Sequence, residues 1–308
     1  MDSDPVVTAA QVEAYRRDGF VVIEDVIDAA ELATLRRVTD ELVQASRAAT
    51  GHTDVYDLEP THSAAEPRVR RIKHPHKVHP AYAAMVSHPR ILAALQALMH
   101  PDVRFDISKL NLKSAGYGSA VEWHQDWAFY PHTNDDLAAV GVMMDDMRLE
   151  NGPLLCIPGS HRGAVHDHHD VDGFFCGAMD PTKGEVDYGA AVPCTGKAGS
   201  ISIHHVRTVH GSAVNTSSVP RRLLLLEYRA ADAWPLMAKN QVDFDEWKSL
   251  LLSGDDDPVQ PRCTAVPVRL PLPVSRHQGS IYENQRSLKH SYFGTAEAPK
   301  FAGTVMPT

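Results

Sequence analysis

Two polar residues able to bind a metal stand two apart in an otherwise apolar run. They are His124 and Asp126 in VEWHQDWAFYPH, residues 121–132. On a β-strand, side chains alternate between faces, so His124 and Asp126 point the same way, together with Glu122 and Ala128. Trp123, Gln125 and Trp127 face oppositely. Two strand residues span about 7 Å at the Cα level, which lets an imidazole and a carboxylate converge on one ion. Such a pair is half of the two-histidine, one-carboxylate triad of non-haem Fe(II) oxygenases. Three protein ligands on one face of an octahedron leave three positions for a chelating cosubstrate and O2. An HxD pair alone is a weak signal in a chain with 18 histidines, where a hydrogen-bonded core or surface pair is the ordinary explanation.

The missing histidine must come from a later strand. GSISIHHVRTVHGSAVNTSSVPRRLLLLEYR, residues 199–229, offers His204, His205 and His210. His210 is the best placed. It ends a β-branched run and is followed by Gly211 and Ser212. Arg221 then opens the next strand, and an antiparallel neighbour brings its guanidinium back beside the metal. The planar fork of arginine suits a carboxylate better than lysine does. A chelating dicarboxylate such as 2-oxoglutarate has one end on iron and the other in need of that fork. Ser212 adds a hydroxyl.

The elements that must position these groups follow from pattern. Thr8 and Gln11 form a capping box for a helix over residues 8–18. GFVVIEDV is a short strand. Asp28 caps a second helix, with Leu32, Leu35, Val38 and Leu42 on one face. Residues 50–80, rich in Pro and His, are expected to be loop. A third helix runs from Pro89 to Met99, its proline at a tolerated first-turn position. From residue 103 onward, short β-rich runs alternate with turn signals, which indicates an all-β sandwich or barrel. The single domain, 1–308, then has a helical N-terminal support (1–102), a β core with the metal site (103–234) and a C-terminal wrapping segment (235–308).

At this point the chain resembles a known family. HQD (124–126), NGPLLCIPGSHRG (151–163), HGSAVNTSSVPR (210–221) and the N-terminal DGFVVIEDVID resemble the phytanoyl-CoA dioxygenase family of Fe(II)/2-oxoglutarate oxygenases. The resemblance implies a mainly β fold with flanking helices, built on a double-stranded β-helix (jelly-roll, cupin-like) core. It implies His124, Asp126 and His210 as iron ligands, and Arg221 with Ser212 as 2-oxoglutarate binders. Lys109, Asn111 and Lys113, alternating on one strand, match the family strand that lines the cosubstrate pocket. The implied reaction consumes O2 and 2-oxoglutarate, hydroxylates a small molecule, and releases succinate and CO2.

Other features have plainer readings. NGPLLCIPGSHRG reads as scaffold, with Asn151-Gly152 a tight turn, His161 in a turn and Cys156 a small core residue. HDHH (166–169) reads as a solvated loop. RVRRIKHPHKVHP (68–80) is locally basic and reads as a solvated face that permits an anionic substrate group. Among Trp123, Trp127, Phe129 and Tyr130, Trp127 and Phe129 are the candidate substrate contacts, with Lys113. Hydrophobic residues are 43% and charged residues 22%, an ordinary globular composition, and the net charge of −9 excludes a phosphate-wrapping nucleic-acid binder. No apolar run reaches membrane length. The acidic start lacks a secretory signal and the four cysteines form no CxxC pair, which points to the cytoplasm. Asp126 argues against a halogenase, which needs a small residue there. Desaturation, epoxidation or rearrangement keeps all three ligands and stays open. A cupin-like barrel that binds without turnover is the rival from another class, and it has no need of Arg221.

Overall fold

The computed structural model describes residues 5–237, 243–254 and 261–294. Local signals set its start. Thr8 caps helix α1 (Ala9–Asp18) by accepting from the Gln11 backbone N–H, and the Gln11 side chain returns the bond. The helix ends at Gly19, φ 85°, in the left-handed region. A Cβ there would lie 2.4 Å from Nδ1 of His161, so both the turn and the close approach require glycine. Strand β1 (Phe20–Ile23) follows. Asp28 then caps α2 (Ala29–Ala45), which buries Leu32, Leu35 and Val38.

Residues 50–80 carry more structure than expected. They form β2 (Tyr56–Leu58), β3 (Val69–Lys73) and the short helices α3 (Pro75–Val78) and α4 (Pro80–Val86). Strand β3, VRRIK, has too few apolar residues for its period to show. Pairing with a longer neighbour makes it a strand. Helix α5 (Pro89–Leu98) completes the N-terminal layer.

The β core comprises β4 (Val103–Lys113), β5 (Val121–His124), β6 (Leu137–Met143), β7 (Leu155–Cys156), β8 (Val192–Pro193), β9 (Ile201–His205), β10 (His210–Ser212) and β11 (Arg221–Ala230). Helix α6 (Phe244–Ser249), strand β12 (Leu251–Ser253) and helix α7 (Ile281–Asn284) follow. An eight-stranded sheet runs β1-β9-β6-β11-β4-β3-β2, with β12 also on β4, and a four-stranded sheet runs β5-β10-β7-β8. The pairs are antiparallel.

Period-two alternation decides what enters the space between the sheets. On β11, Leu224 and Leu226 join the cluster beneath the helices, with Leu35, Leu95, Val140 and Ile203. Leu223 and Leu225 face the other way and pack with Met143, Cys156 and Cys194. Arg221 shares the parity of Leu223 and Leu225, so it is carried into that space. Strand β4 repeats the logic. Leu110 and Leu112 belong to the helix-side cluster, and Lys109, Asn111 and Lys113 turn inward.

The described C-terminal segments bind back onto the core. The Glu122 carboxylate accepts the backbone N–H of Tyr292 at 2.8 Å, and Pro273 O accepts the N–H of Phe175 at 2.9 Å. Among the described residues, no helix is long and apolar enough to cross a membrane.

Candidate metal centre

Strand β5 stops at His124, and Asp126 opens a 3-10 turn, Asp126–Ala128. The shared-face expectation for an unbroken strand therefore does not describe this stretch. The turn swings the carboxylate back towards its neighbour instead. Asp126 Oδ1 lies 3.6 Å from His124 Nε2, and Oδ2 lies 3.9 Å from His210 Nε2. His210 arrives from β10, directly opposite His124 in the register. One ligand atom from each residue falls within 4.8 Å of the others, and all three residues are buried.

The hydrogen bonds around this cluster prepare it for a metal. His124 Nδ1 donates to the carbonyl of Glu122 at 2.7 Å, and His210 Nδ1 donates to that of Thr208 at 2.9 Å. Each bond fixes the tautomer and leaves an Nε2 lone pair facing the cluster. Burial, then the neighbouring His124 and His204, push His210 well below its ordinary pKa and keep it neutral, as a ligand must be. Burial by itself would raise the Asp126 carboxyl. Lys109 outweighs it, helped by the hydrogen bond from His204, and holds Asp126 well below the usual range. Two imidazoles with Nε2 turned to the cluster and one ionised carboxylate, dry and pre-oriented, fit Fe(II) with positions left open. His204 Nε2 sits 3.3 Å from Asp126 Oδ2, where it steadies the carboxylate from β9.

These ligands open on a cavity of about 550 Å³, mouth included, between the two sheets. Arg221 lies at one end of it. It was expected to return beside the metal from a strand paired with that of His210. Instead β11 pairs with β4 and β6, and the chain changes sheets between Ser212 and Arg221. Nε and Nη2 of Arg221 both donate to Gly152 O, at 3.2 and 2.6 Å, and burial lowers its pKa to about 10. Gly152 has φ 71°, and a Cβ there would press within 2.5 Å of Ala213 O. The Asn-Gly turn read as scaffold is therefore also the seat of Arg221.

Lys113 lines the cavity near Arg221. Its ammonium donates to Ser212 Oγ at 2.9 Å and to Ala213 O. Burial and then Arg221 hold its pKa well below the ordinary value. Lys109 pairs with Glu227 at 2.5 Å, and Asn111 Oδ1 accepts Nε of Arg71 at 3.2 Å.

Two candidate substrate contacts lie elsewhere. Trp127 packs with Leu137, Val206, Ala230 and Ala233, and its indole N–H donates to Pro267 O at 3.0 Å. It follows Asp126 in the turn, and its ring is buried in that cluster rather than in the cavity lining. Phe129 stands edge-on to His124 at 5.7 Å and to Phe175 at 5.1 Å, and is not among the residues lining the cavity. The HDHH stretch is no solvated loop: His168 and His169 are buried, and His168 Nε2 accepts the N–H of Gln125 at 2.8 Å. His161 is buried beside Gly19, away from the cavity. Sequence reasoning missed Arg71, Tyr282 and the contact from His204. Only the basic stretch at 68–77 hinted at the first.

The profile of the phytanoyl-CoA dioxygenase (PhyH) family matches residues 15–223. The chain belongs to this family. A probable alpha-ketoglutarate-dependent hypophosphite dioxygenase of Stutzerimonas stutzeri is 36% identical over 295 residues, 92% of this chain and 99% of the relative. An L-proline trans-4-hydroxylase of Streptomyces griseoviridis is 28% identical, over 80% of this chain and 93% of its own. Among solved structures, EctD from S. alaskensis with 2-oxoglutarate and 5-hydroxyectoine is similar at TM-score 0.63 and 26% identity, covering 86% of this chain and 89% of that one. The fold is the double-stranded β-helix of these oxygenases, and the family member described here is a dioxygenase of the Fe(II)/2-oxoglutarate class.

Proposed function

We propose that the protein hydroxylates a small molecule, with His124, Asp126 and His210 holding Fe(II), and Arg221 and Ser212 holding the far carboxylate of 2-oxoglutarate. The observation that carries this reading is the buried His–Asp–His cluster opening on a cavity with a cationic end. Iron(II), when bound, supplies the activation of O2 that no side chain here supplies. In the net reaction an X–H bond of the substrate becomes X–OH. One oxygen atom of O2 enters that hydroxyl, the other enters succinate, and 2-oxoglutarate loses one carboxyl as CO2.

The chain's own residues do the positioning. Glu122 and Thr208 carbonyls aim the two imidazoles. Gly152 O holds Arg221 in the cavity wall. Lys113 fixes Ser212 beside it. Lys109 and Asn111, on the same face of β4, line the path between the two ends. Leu154, Leu223 and Leu225 form apolar walls that exclude water. A barrel that only bound a ligand would need none of this support for Arg221.

Hypophosphite is the first substrate to test, because the relative named for it spans nearly the whole chain. Its P–H bond becomes P–OH in the reaction above. We also read residues 1–308 as one oxygenase domain, supported by the bonds from Glu122 to residues 291–293. A cytoplasmic location is supported by four cysteines that are all unpaired.

The test is anaerobic. Fe(II) and 2-oxoglutarate added to apoprotein should give a weak visible charge-transfer band, reduced in Asp126→Ala and Arg221→Ala. Succinate release is then scored with hypophosphite, ectoine and L-proline. Folded, iron-loaded protein with no band would sink the reading.

A further inference from the structure

Cosubstrate and iron leave one charge in the cavity unanswered. Four cationic side chains line it, Arg71, Lys109, Lys113 and Arg221, against the single carboxylate of Asp126. Lys109 is paired with Glu227. The Nζ of Lys113 is already taken up by Ser212 Oγ and by the Ser212 and Ala213 carbonyls, and burial, then Arg221, disfavours its charged form. With 2-oxoglutarate bound, its two carboxylates and Asp126 match the charges of Fe(II) and Arg221. Arg71 remains. Among the described residues no carboxylate lies within 4.0 Å of it, and its one hydrogen bond runs from Nε to Asn111 Oδ1. The rest of its guanidinium is free to donate.

A second observation lies beside it. The Tyr282 side chain of α7 lines the same cavity, and the Arg71 guanidinium sits 5.4 Å from its ring centroid. Tyr282 is 6% exposed, yet its hydroxyl has no hydrogen-bond partner among the described residues. Buried hydroxyls are ordinarily hydrogen-bonded, so this one offers the cavity an uncommitted donor. Strand β3 supplies Arg71 directly opposite Asn111 of β4, so the guanidinium, the amide and the phenol come from three elements onto one spot.

We propose that Arg71, with Asn111 and the Tyr282 hydroxyl, forms a second anion subsite that receives a small oxyanion substrate, distinct from the 2-oxoglutarate arm at Arg221. The inference rests on the dioxygenase reading for the occupancy of Arg221. The guanidinium fork gives two N–H donors to two oxygens of the substrate, and the phenol gives a third. The cavity must also hold 2-oxoglutarate, so the anion is compact. Zwitterions such as ectoine and proline would leave the charge of Arg71 unbalanced.

The test measures binding, not turnover. Wild type, Arg71→Ala, Arg71→Lys and Tyr282→Phe are loaded anaerobically with Fe(II) and 2-oxoglutarate. Hypophosphite, phosphite, acetate, ectoine and L-proline are then titrated by calorimetry. At least one anion should bind wild type more tightly than either zwitterion. Its affinity should fall about tenfold or more in Arg71→Ala, in line with a lost charge-assisted bond, and recover in part in Arg71→Lys. The 2-oxoglutarate affinity should stay within about twofold, which also certifies the fold of each variant. An anion affinity unchanged in Arg71→Ala overturns the proposal. So does a 2-oxoglutarate affinity that falls equally, which would assign Arg71 to the cosubstrate, and so does the absence of binding by every anion. If wild type binds no 2-oxoglutarate, the dioxygenase reading has failed. The anion titrations on metal-free protein then still decide whether Arg71 holds an oxyanion.

Discussion

The two sheets divide the labour. The four-stranded sheet brings the proposed metal ligands, His124 on β5 and His210 on β10, with Asp126 in the turn that follows β5. The eight-stranded sheet brings the cations, Arg71 on β3, Lys109 and Lys113 on β4, and Arg221 on β11. They are also held differently. Each ligand histidine is fixed by a carbonyl two residues earlier in the chain. Arg221 is fixed by a carbonyl 69 residues away, and Lys113 by groups about 100 residues away. A metal site tolerates little positional error, so short local tethers suit it. An anion arm must instead match the far end of a molecule that the other sheet holds.

That contrast can be broken by substitution. Asp126→Ala should abolish iron retention through gel filtration, beyond the roughly 10–100-fold loss typical of residues behind a ligand. Retained stoichiometric iron would remove Asp126 from the ligand set. Arg221→Ala should leave iron bound but weaken 2-oxoglutarate about 10–100-fold, as expected for a lost charge-assisted pair. Equal loss of iron would mean that the two sheets do not act separately. His204→Ala tests a contact from the large sheet to the ligand cluster. Iron affinity should drop about tenfold, the low end for a group that steadies a ligand, measured by competition with a chelator. Ser212→Ala should raise the 2-oxoglutarate Kd about threefold, because only one neutral hydroxyl is lost. A larger effect there would mean that Lys113 reorganises once its hydroxyl partner has gone.

The same contrast explains what could be read beforehand. The HxD spacing, the His210-Gly-Ser run and the parity of β4 and β11 are local, so their grouping was legible. The break of β5 at His124 was not, because the run carries no Gly or Pro turn signal before Pro131. Strand β3 hid in a Pro- and His-rich stretch, where charges outnumber apolar residues. Trp127 looked exposed to substrate by position, but the turn after Asp126 sends it into the core. His168 and His169 looked solvated by composition, yet they are buried by contacts from Gln125 and Leu272.

By itself, the sequence determined the chemical inventory: two imidazoles and a carboxylate at metal-ligand spacing, an arginine at the head of a strand, and a face pattern that turns these groups inward. Local rules suffice for this, since strand alternation and hydrogen bonds over two residues do not depend on distant chain. Only the tertiary structure decided that Arg221 approaches from the opposite sheet, that Gly152 seats it, and that Arg71 meets Tyr282 across more than two hundred residues of sequence. Those contacts arise when separate segments pack together, and the packing energy that selects them is spread over the whole core.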